Sequence, residues 1–207
     1  TFLFKKTLVI TLFLSKSYLQ SINSEIHFLE NKKNPFWISS NNSGTYSKGS
    51  IINFKIFDEL KILKYGVEIL VPLNQNEPPL FNQAYLRLNR NNFYFQIGKK
   101  SKNAISNLIS SGSLVESSNA MPIPKILIGT KNYNNTSILN IKFQYLIKIS
   151  HGWINNTEYI KNPYLHEKSL KLKKEIFKNT STSLGLNHMV MWSGETIKHG
   201  KQPAELS

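Results

Sequence analysis

The chain has 207 residues, and its 26 Lys and Arg outnumber its 12 Asp and Glu, so the formal net charge is +14. It contains no cysteine, which excludes disulfides and Cys-ligated metal sites. The lysines are spread through alternating segments instead of clustering on one helix, and this argues against nucleic acid as a partner. The charge indicates either a compositional bias towards Lys or a basic surface for an anionic polymer or for lipid head groups.

The beginning of the chain has the pattern of an export signal. Lys5 and Lys6 precede a short apolar run from Leu8 to Leu14, as in a secretory signal peptide. We therefore predict a signal peptide over residues 1–24 and export through the Sec pathway, with the cleavage site open among several serines. The alternative is a buried strand or helix. No run in the chain reaches the ~18 apolar residues that a membrane helix needs.

Apolar and polar residues then alternate along much of the chain, which is typical of β-strands with two different faces. Residues 51–57 and 65–71 alternate in this way. Residues 84–89 and 93–99 alternate on either side of Asn91-Asn92, which predicts a tight hairpin. Residues 58–64 fit either a short helical turn or a continued strand.

The longest alternation runs over residues 138–150. A soluble strand usually has about five or six residues, whereas a tilted transmembrane β-strand has ~9–11. Residues 184–192 repeat the pattern, except that His188 falls on the apolar face. The sequence therefore predicts an all-β fold, either an antiparallel transmembrane β-barrel or a soluble β-sandwich. A closed barrel leaves no strand edge unpaired in lipid.

The segment Ser110 to Thr130 departs from the alternation. It begins with small polar residues and continues through Pro122 and Pro124, which fix φ and lack a backbone donor. A proline is unfavourable in a central strand, so we predict a long functional loop that either binds a ligand or folds inward to plug a barrel. Gly112, Pro122 and Pro124 are its expected structural residues.

Several separate segments together resemble one family. They are Pro35-Phe36-Trp37, Gln83-Ala84-Tyr85, Ile97-Gly98-Lys99-Lys100, Ser110 to Thr130, His151-Gly152-Trp153, Leu165-His166-Glu167-Lys168 and Gly185-Leu186-Asn187-His188. This set is similar to the capsule assembly Wzi family of outer-membrane proteins. Lys99 stands where the family pattern has Arg, and Ser193 departs from a frequent Gly.

The resemblance implies a fold and a function. Residues 25–207 would form the N-terminal part of a large antiparallel transmembrane β-barrel of about eighteen strands, truncated here. The protein would lie in the outer membrane of a Gram-negative cell, in contact with its lipid. It would attach or assemble capsular polysaccharide or exopolysaccharide at the cell surface by lectin-like binding, without catalysis and without a cofactor.

Candidate polysaccharide-binding residues follow from the resemblance and from side-chain chemistry. They are Arg87, Ser110, Ser111, Ser113, Asn119, Lys142, His151 and Trp153. If the alternation has the predicted phase, Lys55, Arg87, Lys142 and Lys148 share one inward face, and this face would attract an acidic polymer. The aromatic candidates Trp37, Tyr85, Tyr94, Trp153 and Trp192 could stack on sugar rings, or could form the aromatic belt of a membrane barrel.

Other functional classes receive little support. The histidines His151, His166 and His188 lack the spacing of a known metal motif, so no metal is expected. The serines lie outside a GxSxG elbow, and no carboxylate pair indicates a glycosidase, so no catalytic residue is predicted. The alternatives are a general porin or transport pore and a secreted β-sandwich lectin. A monomer is favoured, although the sequence leaves the oligomeric state open.

Overall fold

The computed structural model describes residues 21–27, 50–73, 78–101 and 120–204. Over these residues the protein consists of β-strands without a helix, which confirms the predicted all-β, antiparallel fold class. The strands are β1 Ser21–His27, β2 Ile51–Glu59, β3 Leu63–Pro72, β4 Leu80–Arg90, β5 Phe93–Lys99, β6 Pro124–Thr130, β7 Asn134–Ile138, β8 Ile141–Trp153, β9 Ile160–Lys161, β10 Tyr164–Phe177, β11 Thr180–Trp192, β12 Glu195–Thr196 and β13 Gly200–Lys201. The predicted signal peptide lies mostly outside the described residues.

Ten strands form one open antiparallel sheet, and apart from β7 they follow one another in the sheet in chain order. The order is β1-β2-β3-β4-β5-β6-β8-β10-β11, and β7 also pairs with β8. Strands β6 and β7 lie end to end along β8, because β6 pairs with its second half and β7 with its first half. The short strands β13, β12 and β9 make a separate small sheet.

The connections differ between the two ends of the large sheet. At one end the chain turns within a few residues, at Leu60 to Ile62, Asn91-Asn92, Leu139-Asn140 and Lys178-Asn179. Asparagine has positive φ in three of these turns, 52° at Asn91, 63° at Asn140 and 72° at Asn179, a conformation that Asn adopts more readily than most residues. At the other end the connections span residues 73–79, 100–123 and 154–163.

One predicted strand had wrong boundaries, and one ambiguous segment is resolved. The single strand over 138–150 is split, since Leu139 and Asn140 both have positive φ and form a hairpin turn between β7 and β8. Alternation alone could not show this, because a leucine at a turn tip looks like a strand residue. Leu139 is 89% exposed there. Residues 58–64 continue β2, turn and begin β3 without a helical turn.

The prediction that residues 110–130 form one loop was also wrong in its last part. Pro124 begins β6, which lies between β5 and β8 inside the sheet. A proline is tolerated as the first residue of a strand, where its missing N–H costs no interior ladder bond. Pro124 pairs with Lys99 at the end of the ladder in this way.

The burial of the sheet is inverted relative to a soluble protein. The described residues include only three buried apolar residues, Ile51, Leu70 and Leu127, while many large apolar side chains are exposed. Strand registers place most of those within the large sheet on one face, here called the apolar face. They include Phe54, Leu86, Leu88, Phe95, Ile97, Ile126, Ile128, Ile147, Ile149, Leu184 and Leu186.

The opposite side, here called the polar face, carries the buried polar groups. They include Asn53, Glu68, Asn89, Gln96, Ser150 and Glu167. Because successive strand residues point to opposite sides, each strand separates its polar from its apolar residues. The polar face is therefore where hydrogen bonds and ion pairs hold neighbouring strands together, and it contains the candidate site.

Candidate functional site: the polar face of the sheet

A buried carboxylate organises the β2–β4 part of the polar face. Glu68 is 4% exposed. Its Oε1 accepts a hydrogen bond from Asn53 Nδ2 at 3.0 Å, and its Oε2 accepts from Asn82 Nδ2 at 2.8 Å and Gln83 Nε2 at 2.7 Å. Lys55 Nζ lies 3.8 Å from Oε1. Such a fully bonded carboxylate stabilises the sheet and is not placed to act as a catalytic base.

A β-bulge makes this network possible. Glu68 pairs with Gln83, whereas the next residue, Ile69, pairs with Phe81, so Asn82 is the extra residue of β4. A bulge inserts one residue and re-aims its side chain. As a result, both Asn82 and Gln83 bind the same carboxylate.

A second buried carboxylate joins β8 to β10. Glu167 forms an ion pair with Lys148 and accepts a hydrogen bond from Ser150 Oγ at 3.2 Å. Ser150 and Glu167 are directly paired across the two strands. Lys148 is thereby matched with an acidic partner, so its charge is largely neutralised within the sheet.

Two cations instead lie on tyrosine rings. The Arg87 guanidinium carbon is 3.6 Å from the centroid of the Tyr94 ring, and Lys100 Nζ is 4.4 Å from the centroid of the Tyr85 ring. Both distances are within the range of a cation–π interaction. Burial lowers the pKa of Lys100, which follows the last residue of β5, and the charges of Arg87 and Lys64 lower this pKa further, while Glu59 raises it.

Each tyrosine ring in turn covers a glycine on the neighbouring strand. A Cβ placed on Gly129 would lie 3.1 Å from two atoms of the Tyr94 ring, and one placed on Gly66 would lie 2.6 Å from Tyr85 Cε1. The absence of a side chain lets each ring approach the sheet closely. We call these two arrangements, Gly129–Tyr94–Arg87 and Gly66–Tyr85–Lys100, the cation stacks.

Adding one methyl group beneath a ring should disturb the first cation stack. We expect Gly129→Ala to lower the free energy of unfolding by roughly 1–3 kcal/mol, the usual cost of overpacking. The new Cβ would meet the Ile147 backbone oxygen at 2.9 Å as well as the ring. The denaturant midpoint measures the change. Gly185→Ala is the control, because its Cβ would meet only Lys171 Cγ at 3.7 Å. Equal effects of the two changes would contradict the stacking geometry.

The four cations predicted to share one face of the sheet do so. Strand registers place Lys55, Arg87, Lys142 and Lys148 all on the polar face. They do not form one cluster, however. Lys142 lies on β8 eight residues from Ser150, the residue aligned with Arg87, which corresponds to about 26 Å along the strand. Arg87 and Lys142 therefore cannot contact the same sugar unit.

His151 and Trp153 lie on the face opposite Arg87, so the structure does not bring these three candidate binding residues together in one site. The physical reason is the period of two along β8: His151 follows Ser150, which points to the polar face, and therefore points away from it. His151 instead packs against Trp153, Tyr164 and Trp192, with ring centroids 5.0, 5.3 and 6.0 Å away.

This aromatic cluster lies at the end of the sheet that carries the longer connections. Trp153 pairs with Tyr164, and Tyr164 pairs with Trp192, so the three rings form a row across β8, β10 and β11. The apolar face is interrupted nearby, where Lys168 pairs with His188. A row of Trp and Tyr at the edge of an apolar band is typical of an interface belt, one of the two roles predicted for these residues.

The tyrosines Tyr85 and Tyr94 lie on the polar face, as their position in the alternation predicts. The candidates Ser110, Ser111, Ser113 and Asn119 lie outside the described residues, as do Gly112 and Trp37. Pro122 is half-buried just before β6. Where the structure is described, no group of three or more His, Cys, Asp or Glu could hold a metal ion.

Sequence reasoning missed Lys64 and Lys100 as site residues, and it missed the glycines beneath the rings. Lys64 pairs with Arg87 across β3 and β4. Tyr85 pairs with Gly66 on one side and Gly98 on the other. A tyrosine opposite a glycine is a usable signal, but only after the register of the two strands is known.

No family model, curated protein or solved structure matches this chain. The resemblance to the capsule assembly Wzi family therefore stays a prediction. Within the part of the chain that is described, no helix is long and apolar enough to cross a membrane.

Proposed function

We propose that this chain is part of an outer-membrane β-barrel that attaches or assembles capsular polysaccharide or exopolysaccharide at the cell surface, non-covalently and without catalysis. The observation that carries the membrane part is the inverted burial of the sheet. Large apolar side chains such as Ile128 and Ile149 are exposed, whereas Glu68 and Glu167 are buried. In membrane barrels the apolar band faces lipid and the polar side chains face the interior.

The alternative of a soluble β-sandwich fits this sheet less well. A sandwich packs the apolar face of one sheet against the apolar face of a second sheet. Among the described residues, the second sheet consists of the two-residue strands β9, β12 and β13. Such a sheet is far too small to cover an apolar face that extends from β2 to β11.

The polysaccharide part of the proposal has two supports. One is the set of segments that resemble the capsule assembly Wzi family. The other is the chemistry of the polar face, where Arg87 and Lys100 project above tyrosine rings. Aromatic rings and cations together suit a saccharide that carries negative charge.

Deleting the gene tests the proposed function. We expect the mutant cells to make a normal amount of polysaccharide but to release it into the medium, and the full-length gene should restore attachment. Cell-bound and released polymer are measured separately. Unchanged attachment would contradict the proposal, and a high conductance of the purified protein in planar bilayers would then favour a transport pore.

The charge contribution is tested by a double substitution. Arg87→Gln with Lys142→Gln should weaken retention of an acidic polymer, because it removes two positive charges from the polar face. Lys131→Gln with Lys198→Gln removes the same charge from exposed turn residues, and should leave retention unchanged. Equal retention in both double variants would remove the electrostatic part of the proposal.

A further inference from the structure

The cations around β3–β5 outnumber the acidic groups that face them. Lys64 and Arg87 are directly paired across the strands, and like charges in this position repel. Glu59 forms an ion pair with Lys64. Asp58, the neighbouring acid, belongs to the apolar face and accepts a hydrogen bond from Tyr65 at 3.2 Å. Among the described residues, three cations on this part of the polar face, Lys64, Arg87 and Lys100, thus share the exposed carboxylate of Glu59.

The two cation stacks hold their charges in a defined place. Each ring supports its cation above the sheet, so neither charged group folds down onto the strand backbone. Tyr85 and Arg87 are two residues apart on β4, or about 7 Å. The charge of Arg87 also lowers the pKa of Lys100, so the two stacks present neighbouring positive groups.

Arg87 has unused hydrogen-bonding capacity. Its Nε is buried and finds no hydrogen-bond partner among the described residues. A buried donor without a partner costs about 1–3 kcal/mol. A guanidinium prefers a planar anion that accepts two parallel N–H bonds, such as a carboxylate or the oxygens of a phosphate or sulfate. An anionic ligand that binds this guanidinium would also reduce the repulsion between Lys64 and Arg87.

We propose that Lys64, Arg87 and Lys100, supported by Tyr85 and Tyr94, form a binding site for the negatively charged groups of an acidic saccharide chain. Arg87 binds one anionic group in a bidentate manner, and Lys100 binds a neighbouring group as a point charge. Tyr85 and Tyr94 are positioning residues that hold the two cations. This proposal rests on the proposed function of polysaccharide attachment. It assigns recognition of the negative charges of the polysaccharide to this one site.

Binding by the full-length protein in detergent tests the site. The probes are polygalacturonate, which carries carboxylates, dextran sulfate, which carries sulfates, and uncharged dextran. We expect the unchanged protein to bind a charged polymer in preference to dextran, and added salt to weaken this binding. The two charged probes separate a carboxylate ligand from a sulfate ligand.

The variants are Arg87→Gln and Lys100→Gln, with Lys131→Gln as the control for loss of one charge elsewhere. Each site variant should weaken binding of the preferred charged polymer about tenfold, as expected for one charged hydrogen bond. Lys131→Gln should change it less than twofold. Tyr94→Leu, which keeps all charges, should weaken binding because it removes the support of Arg87, and Tyr94→Phe should restore it.

The outcomes separate a failure of the proposed site from a failure of the proposed function. Unchanged binding in both Arg87→Gln and Lys100→Gln would overturn the site, as would an equal loss in Lys131→Gln. If the site is overturned in this way but cells lacking the gene release their polysaccharide into the medium, the proposed function stands and only the site fails. If the unchanged protein binds neither charged polymer and its loss releases none from cells, both proposals fail. Thermal unfolding of each variant confirms that it is folded.

Discussion

If the proposed membrane barrel is right, replacing Ile128 with lysine is expected to weaken insertion of the protein into a bilayer. Ile128 lies inside the sheet on β6, between Phe95 and Ile149, and is 56% exposed. If the apolar face meets lipid, a lysine near the middle of the band costs about 2–4 kcal/mol. Unfolding by urea in lipid vesicles measures this cost, and the fraction of folded protein recovered from membranes should fall.

In a soluble protein, the same substitution would be expected to have little effect on stability. A lysine that replaces an exposed isoleucine on a soluble surface usually changes stability by less than about 0.5 kcal/mol. Ile197→Lys is the matched control, since Ile197 is 94% exposed in a turn outside the large sheet. We expect it to be neutral. If Ile128→Lys were equally neutral in a bilayer, the apolar face would not be in contact with lipid.

Removing the Glu68 carboxylate is the second change with a large expected effect. Glu68→Ala would remove the acceptor shared by the amide groups of Asn53, Asn82 and Gln83, and would also remove the ion pair between Glu68 and Lys55. Breaking a buried ion pair by removing one partner costs about 3–5 kcal/mol. The free energy of unfolding should fall by this order.

Two further variants separate the causes of this loss. Glu68→Gln keeps the size of the side chain but places an NH₂ donor against other donors, so we expect it to be destabilising as well. Glu175→Ala removes an exposed carboxylate from β10, and should change the free energy of unfolding by less than about 0.5 kcal/mol. If Glu68→Ala were as mild as Glu175→Ala, the network would not be holding the strands.

The period of two along each strand predicted much of this fold. The alternation at 84–89 and 93–99 around Asn91-Asn92 gave the hairpin of β4 and β5 correctly. The same period placed Lys55, Arg87, Lys142 and Lys148 on one face. It could equally have shown that His151 belongs with Ile149 on the apolar face, but His151 was chosen from the family resemblance without regard to the face of the strand on which it lies.

Features that depend on the neighbouring strand could not be predicted in this way. The bulge beside Glu68 exists because β4 has one more residue than β3 at that point, and nothing in the local sequence of β3 indicates it. The support of Tyr94 by Gly129 joins residues from β5 and β6, which a long connection separates in the chain. The turn at Leu139-Asn140 lacks the glycine that usually marks a hairpin.

The order of the strands also has a consequence for how the protein forms. Apart from β6, which pairs with β8 and not with β7, every strand of the large sheet pairs with the next strand of that sheet along the chain. The short turns close at little cost in entropy, and their contacts of low sequence separation favour rapid folding, whereas the connection over residues 100–123 costs more. The sheet can grow one hairpin at a time, and each added hairpin extends the apolar face while its outer strand remains a template for the next.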